Sequence, residues 1–103
     1  ILFPHWMRAV LSNETCGQFV SYGRAVWDID ALEDETDIAH RAIEKTSQFF
    51  QALGLPSRLS QVGVSDEYFD EMARNAVSVY GNYVGTFKRL THEDVLAIYR
   101  NAL

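Results

Sequence analysis

Apolar residues recur at intervals of three and four along most of the chain, in segments separated by polar, glycine and proline residues. Residues three or four apart lie on one face of an α-helix, so this spacing is typical of amphipathic helices. No alternating segment is longer than the ambiguous residues 60–64. The pattern therefore predicts an all-α fold, a helical bundle of about five helices in a single domain. The predicted helices cover residues 1 to about 12, 13–27, 34 or 36 to 53, 65–80 and 91–103.

The ends of the predicted helices carry local signals. Gly54 and Pro56 follow the third helix, where glycine allows a left-handed turn and proline cannot continue the helix. Thr91 and Asp94 match a capping box at the start of the last helix, with Asp in place of Glu. Residues 57–63 are predicted to form a short linker with one helical turn.

The same spacing predicts which side chains are buried. Asn13 is the predicted N-cap of the second helix. Its predicted apolar stripe consists of Phe19, Val20, Gly23, Val26 and Trp27. The corresponding stripe of the third helix consists of Ile38, Ala39, Ala42, Ile43, Phe49, Phe50 and Leu53.

Composition and charge narrow the class of protein. The chain has 103 residues, 48% of them hydrophobic, which is enough for one globular core. A net charge of −5 has the wrong sign for binding nucleic acid or an anionic membrane surface. A single cysteine, Cys16, excludes an internal disulfide, and no apolar run approaches the roughly 20 residues of a membrane span. We therefore expect a soluble, cytoplasmic protein.

The histidines are the first candidates for metal binding. Asp37, His40 and Glu44 share one helical face, but Arg41 and Lys45 are interleaved with them, which favours a solvated charged surface over a metal site. His5 lies in an apolar segment and is predicted to be a hydrogen-bonded packing residue. His92, in the first turn of the last helix, is predicted to be exposed. Cys16 is predicted to be a buried thiol. The residues alone thus predict no catalytic, cofactor-binding or metal-binding site.

The segment 80–87 differs from the other connections in its composition. Gly81 and Gly85 allow close approach of the backbone, while Asn82 and Thr86 offer hydrogen bonds between aromatic residues. This composition suits the rim of a ligand pocket, and it equally suits a tight connection between two helices.

Three stretches, in this order and spacing, resemble the iron-containing (group III) alcohol dehydrogenases, especially the branch similar to NADH-dependent butanol dehydrogenases. They are residues 1–8 (ILFPHWMR), Phe49-Phe50 leading into residues 53–59 (LGLPSRL), and residues 85–91 (GTFKRLT) continuing to residue 99. The resemblance covers essentially all of residues 1–103 and matches the C-terminal part of that family.

The resemblance implies an N-terminal Rossmann-like nucleotide-binding domain followed by a dehydroquinate synthase-like helical domain, with the active site between them. An aspartate and three histidines of the helical domain bind Fe²⁺, or sometimes Zn²⁺, and all four are implied to precede Ile1. Residues 1–103 are then the C-terminal portion of the metal-binding domain, a fragment that is expected to bind no metal or NAD(P)H and to be inactive. The parent is implied to interconvert alcohols with aldehydes or ketones as a homo-oligomer.

The resemblance also selects one interpretation of the segment 80–87, because in the family this connection faces the substrate. Asn82, Tyr83, Gly85 and Thr86 are therefore implied to line the substrate pocket. No metal role passes to His5, which lies more than two helical turns, on the order of 15 Å, beyond the implied ligand. The alternative, from a different class, is a free-standing helical module without enzymatic activity that binds partner helices.

Overall fold

The structure is a computed structural model that describes residues 1–29, 34–79, 81, 83–85 and 87–103. The described residues form five α-helices. These are α1 (Leu2–Val10), α2 (Cys16–Trp27), α3 (Glu35–Ala52), α4 (Phe69–Ser78) and α5 (His92–Asn101), with 3₁₀ turns at Leu59–Val62 and Asp66–Tyr68 before α4. The prediction of an all-α bundle of about five helices is confirmed. Tyr80, the last residue of the predicted fourth helix, lies outside the described residues.

The core joins all five helices. α1 lies between two pairs of helices, because it packs against α3, the partner of α2, and against α5, the partner of α4. One face of each helix is buried, as the spacing of apolar residues predicts. The buried residues of this core include Met7, Val10, Phe19, Val20, Ile38, Ala42, Ile43, Ala73, Val77, Val95 and Ile98.

Gly23, in the second half of α2, lets α2 and α3 approach closely. A Cβ at this position would lie 3.1 Å from Cβ of Ala42, 3.2 Å from Cδ1 of Ile29 and 3.3 Å from Cγ2 of Ile38. These distances are shorter than the roughly 3.5–4.0 Å at which two carbon atoms attract best. Ala42 and Ile38 are completely buried in α3, so they have little room to move aside.

Replacing Gly23 with alanine is therefore expected to lower the free energy of unfolding by about 1–2 kcal/mol, even though alanine favours helix. Gly17 is the matched control, because it is an exposed glycine of the same helix with no atom within 4 Å of the position that a Cβ would occupy. Gly17→Ala should leave stability unchanged or raise it by up to about 1 kcal/mol. Urea denaturation of both variants checks this, and equal stability of the two would contradict the packing role of Gly23.

A second, smaller cluster ties the linker after α3 to the end of α5. Phe69 and Leu59 are buried there together with Ala102. The N–H of Leu59 donates to the carbonyl of Ala102 at 2.7 Å, and Ser60 Oγ donates to the carbonyl of Leu103 at 2.6 Å. The 3₁₀ turn Leu59–Val62 is thus fixed to the C-terminus of α5.

The connection between α1 and α2 differs from the prediction. α1 ends at Val10, and the N-cap of α2 is Thr15, so the prediction of Asn13 as N-cap is wrong. Thr15 Oγ1 donates to the carbonyl of Val10 at 2.7 Å and accepts from the N–H of Ser12 at 2.9 Å. These two bonds hold residues 12–15 in a turn that separates α1 from α2. The residue type of Asn13 predicted a cap but did not indicate that the side chain of Thr15 holds this turn.

Three side chains of the predicted buried stripes are exposed instead. Val26 of α2 is 57% exposed, and in and after α3 Phe49 is 49% and Leu53 62% exposed. Spacing determines which side chains share a helix face, but not how far the partner helix extends along that face. Phe49 still contacts Trp27 and Phe50, with ring centroids 5.9 Å and 6.1 Å apart.

Two of the predicted signals at helix ends are confirmed, whereas the fourth helix begins at Phe69 rather than at residue 65, after the 3₁₀ turn Asp66–Tyr68. Gly54 follows α3 with φ +83°, and at α5 the N–H of Thr91 donates to Asp94 Oδ2 at 2.9 Å in a complete capping box. The ambiguous residues 60–64 contain a 3₁₀ turn rather than a strand, and the turn ends at Gly63 with φ +81°. Within the described residues, the helices all lack the length and apolar character that crossing a membrane requires.

Candidate functional site

The connection between α4 and α5 carries the predicted pocket residues. Of these, Tyr83 and Gly85 are described, whereas Asn82 and Thr86 lie outside the described residues. The N–H of Val84 donates to the carbonyl of Leu90 at 2.9 Å, and the N–H of Leu90 donates back at 2.8 Å. This antiparallel pair closes a tight turn directly before the capping box of α5.

The backbone conformation of residue 85 and the atoms close to it both require glycine. Its φ is +102°, a region that side chains disfavour. A Cβ would lie 2.8 Å from the carbonyl oxygen of Lys88, across the turn. The close approach predicted for this glycine is therefore made to the turn's own backbone.

Tyr83 is half-buried, and a cation covers its ring. The guanidinium carbon of Arg89 lies 4.5 Å from the centroid of the Tyr83 ring, a cation–π distance. Because Tyr83 precedes Val84 and Arg89 precedes Leu90, this contact lies beside the Val84–Leu90 pair and adds to the hydrogen bonds that hold the turn.

Gly85 also borders an apolar cavity of about 450 Å³, here called the loop-side cavity. It is open on one side and is bordered by α1, by Val84, Gly85 and Leu90 of the turn, and by side chains of α4 and α5. None of the described residues that line it is charged. They include Leu2, Phe3, Trp6, Val84, Gly85 and Leu90.

Aromatic side chains of α1 and α2 lie beside the turn, and sequence reasoning did not assign them to the site. The rings of Phe3 and Trp6, both residues of α1, stack on each other with centroids 5.5 Å apart and an interplanar angle of 18°. Phe87 contacts Trp6 at 5.7 Å and Phe19 of α2 at 6.0 Å. The interval of three residues between Phe3 and Trp6 places them on one face of α1, which is the signal that could have indicated the pair.

The described residues do not fit a metal ion or a dinucleotide. No three of their His, Cys, Asp and Glu side chains converge as metal ligands. Asp37, His40 and Glu44 are all exposed on α3, as predicted, and Glu44 Oε1 pairs with Arg8 Nη2 at 2.6 Å. The described part of the chain also contains no strand that leads through a glycine-rich turn into a helix, the arrangement that holds a dinucleotide pyrophosphate.

The predictions for His92 and Cys16 need correction. His92 is half-buried rather than exposed, because its Nε2 lies 3.0 Å from Oδ1 of Asp70 in the first turn of α4. Cys16 is half-buried rather than buried, since it begins α2 beside a small cavity of about 220 Å³ that Arg8 and His40 also line. The contact between α5 and α4 explains the burial of His92, and the cavity beside Cys16 explains its partial exposure.

His5 is a hydrogen-bonded packing residue, as predicted. Its Nε2 lies 3.2 Å from the carbonyl oxygen of Ser57, which links α1 to the segment after α3. Burial lowers the pKa of His5 from its ordinary value of 6.5, and the charges of Arg8 and Arg58 lower it further, against the opposing effect of the Ser57 bond. The folded protein therefore favours neutral His5.

This lowered pKa predicts a pH dependence of stability. Below its unfolded-state pKa, His5 binds a proton more readily in the unfolded chain, so its contribution is complete above about pH 6.5 and is lost as the pH falls toward the folded pKa. We expect His5→Gln, which keeps a side-chain donor for Ser57, to lose less stability than the wild type between about pH 7.5 and about pH 5.5. Urea denaturation across this pH range measures the difference. If the free energy of unfolding changed with pH equally in His5→Gln and in the wild type, this role of His5 would be contradicted.

Comparison with known proteins places the chain in a family. Residues 1–103 match the family model described as "Fe-containing alcohol dehydrogenase family, C-terminal". The chain is 42% identical over 104 residues to NADH-dependent butanol dehydrogenase B of Clostridium acetobutylicum, which covers 100% of this chain and 27% of the relative. It is 40% identical over 102 residues to NADH-dependent butanol dehydrogenase A of the same organism, which covers 99% of this chain and 26% of the relative.

A Bacillus subtilis protein named probable NADH-dependent butanol dehydrogenase 1 is 38% identical over 104 residues, 100% of this chain and 26% of the relative. The chain thus spans about a quarter of the length of the curated relatives that it matches. Because the family model covers every residue, the similarity does not rest on one motif. The chain belongs to the iron-containing alcohol dehydrogenase family, whose C-terminal part it matches from residue 1 to residue 103.

Proposed function

We propose that residues 1–103 form the C-terminal part of the helical domain of a metal-dependent, NAD(P)H-linked alcohol dehydrogenase. The complete enzyme would interconvert alcohols with aldehydes or ketones. The observation that carries this proposal is the match of the whole chain to the family, together with relatives that are named NADH-dependent butanol dehydrogenases. This match favours an enzyme over the alternative of a free-standing helical interaction module.

Residues 1–103 and the remainder of the complete enzyme would supply different parts of the active site. We place the sites of Fe²⁺ or Zn²⁺ and of NAD(P)H in the part of the enzyme outside residues 1–103; in support, no three His, Cys, Asp or Glu side chains of the described residues converge as metal ligands. That part would be the principal partner of this chain, and we expect the complete enzyme to be a homo-oligomer. Residues 1–103 contribute packing and one wall of the substrate pocket.

The proposed wall consists of Asn82, Tyr83, Gly85 and Thr86. The support for it is that Gly85 borders the loop-side cavity, whose described lining carries no charge. The Val84–Leu90 hydrogen bonds and the contact of Tyr83 with Arg89 hold the turn in one shape. Apolar side chains beside this wall, among them Trp6 and Leu90, would accommodate the apolar portion of an alcohol, which gives substrate selectivity rather than chemistry.

The nicotinamide, bound elsewhere in the complete enzyme, would accept a hydride from the alcohol carbon, and the proton of the hydroxyl group would pass to the solvent. Among the described residues that line the loop-side cavity, the hydroxyl of Tyr99 is the one titratable side-chain group, and none is a carboxylate, a histidine or a lysine. Changes in the proposed wall should therefore alter KM and substrate preference more than the binding of the metal.

Replacing Asn82 with alanine in the complete protein tests this proposal. We expect kcat/KM ratios between alcohols of different shape to change by about tenfold, with the metal content unchanged. Asn75→Ala is the matched control, because Asn75 is an exposed asparagine of α4. Unchanged kinetics of the Asn82 variant across several alcohols, or the loss of its metal, would contradict the pocket assignment.

A further inference from the structure

Phe3 and Trp6 line two apolar cavities at once. The first is the loop-side cavity of about 450 Å³, which Gly85 borders. The second, here called the helix-side cavity, measures about 220 Å³ and lies toward α2, where the other lining residues are Met7, Phe19, Tyr22 and Phe87 and the polar Gln18. The two rings are the side chains of α1 that the cavities have in common.

The two rings lie where the loop-side cavity and the helix-side cavity adjoin, since both rings line both cavities. Their centroids are 5.5 Å apart and their planes nearly parallel, at 18°, because the residues are one helical turn apart on α1. Phe87 lies against Trp6 at 5.7 Å on the helix-side cavity, while Val84 and Gly85 of the same turn face the loop-side cavity. Trp6 is half-buried, so it is held more firmly than Phe3, which is 50% exposed.

The chemistry of the loop-side cavity suits an aliphatic chain. Its volume falls within the roughly 300–1,000 Å³ of small-molecule sites. Its described lining is apolar apart from the hydroxyl of Tyr99, so a charged or strongly polar group would lose its hydration there without compensation. An alkyl group would gain contacts with Trp6 and with the side chains of α4 and α5.

We propose that Trp6, supported by Phe3, sets the length of the aliphatic chain that the substrate pocket accepts. The substrates would be primary aliphatic alcohols and aldehydes whose alkyl chain enters the loop-side cavity and stops at the Trp6 ring. This inference rests on the proposed function, and it adds a residue of α1 to the pocket. We expect removal of the indole ring to join the two cavities, so that a longer chain would continue toward Phe19 and Tyr22.

The experiment measures kcat/KM of the complete protein for ethanol, butanol, hexanol and octanol. Each methylene that gains apolar contact is worth roughly fourfold, so Trp6→Ala should raise the octanol-to-butanol ratio by at least about tenfold. Trp6→Leu, which retains more of the core packing, should raise it by less. Ala76→Leu, which adds side-chain volume to the loop-side cavity from α4, should lower the ratio.

Phe49→Ala is the control, because Phe49 is a 49% exposed aromatic residue that lines neither cavity. Its octanol-to-butanol ratio should equal that of the wild type. Folded Trp6 variants whose kcat/KM values fall alike for all four alcohols would overturn the proposal and leave Trp6 a packing role. If both Trp6 variants fail to fold, an octanol-to-butanol ratio in Ala76→Leu equal to that of the wild type would also overturn the proposal. A wild-type protein without activity on any alcohol would overturn the proposed function, and this inference with it.

Discussion

Replacing Phe69 with alanine is expected to lower the free energy of unfolding by about 3–5 kcal/mol. Phe69 begins α4 and is only 2% exposed. Its ring lies 5.6 Å from that of Tyr99 on α5, and it shares its cluster with Leu59 and Ala102. Truncation would leave a cavity where α4, α5 and the linker after α3 meet, and the hydrogen bond from Leu59 to Ala102 limits how far the linker can collapse into it.

The neighbouring Tyr68 provides a matched control for Phe69. Tyr68 is an aromatic residue one position earlier and is 60% exposed. Tyr68→Ala should therefore change stability by no more than about 0.5 kcal/mol. Chemical denaturation of both variants measures the contrast, and a loss of less than about 1 kcal/mol in Phe69→Ala would show that the second cluster is not part of the cooperative core.

Replacing Gly85 with alanine is expected to lower the free energy of unfolding by about 2–4 kcal/mol and to change the kinetics of the complete protein. The backbone at φ +102° disfavours any side chain, and the added methyl group would lie 2.8 Å from the carbonyl oxygen of Lys88. The turn must then open, which would strain the Val84–Leu90 hydrogen bonds. Because Gly85 borders the loop-side cavity, we also expect KM for alcohols to rise.

Gly81→Ala separates the two causes of this loss. Gly81 has a similar φ of +96°, but no atom lies within 4 Å of the position a Cβ would take. Its substitution should therefore show only the backbone strain, of about 1–2 kcal/mol, and a smaller effect on KM. Thermal unfolding and steady-state kinetics of both variants test this. Equal losses would show that the contact with Lys88 is unimportant, and an unchanged KM in Gly85→Ala would count against the pocket wall.

The features that sequence predicted well are those encoded locally. The capping box of Thr91 and Asp94 and the left-handed Gly54 depend on residues within one helical turn of each other. The spacing of apolar residues likewise predicted all five helices. Such signals need no knowledge of which helix packs against which.

The features that sequence missed depend on contacts between distant elements. The contact of His92 Nε2 with Asp70 Oδ1 joins α4 to α5, and the exposure of Val26 depends on how far the neighbouring helix extends along its face of α2. The aromatic contact of Trp6 with Phe87 joins residues 81 positions apart, as their numbers show. No periodicity within one helix encodes such a pairing.

The candidate site was predicted only through resemblance. The residues of the segment 80–87 left a pocket rim and a tight connection equally open, and the Val84–Leu90 pair reveals the tight turn. That turn and a pocket wall are compatible, since Gly85 belongs to both the turn and the lining of the loop-side cavity. The assignment of Asn82 and Thr86 stays a prediction, because both lie outside the described residues.

The most direct test of the central claim is an activity measurement on the complete protein that contains these residues. The purified protein, supplied with Fe²⁺ or Zn²⁺, is incubated with NADH or NADPH and a series of aliphatic aldehydes, and oxidation of the nicotinamide is followed by absorbance. We predict aldehyde-dependent oxidation with one mole of alcohol formed per mole of cofactor. A folded, metal-loaded protein that oxidises neither cofactor with any of these aldehydes would contradict the account.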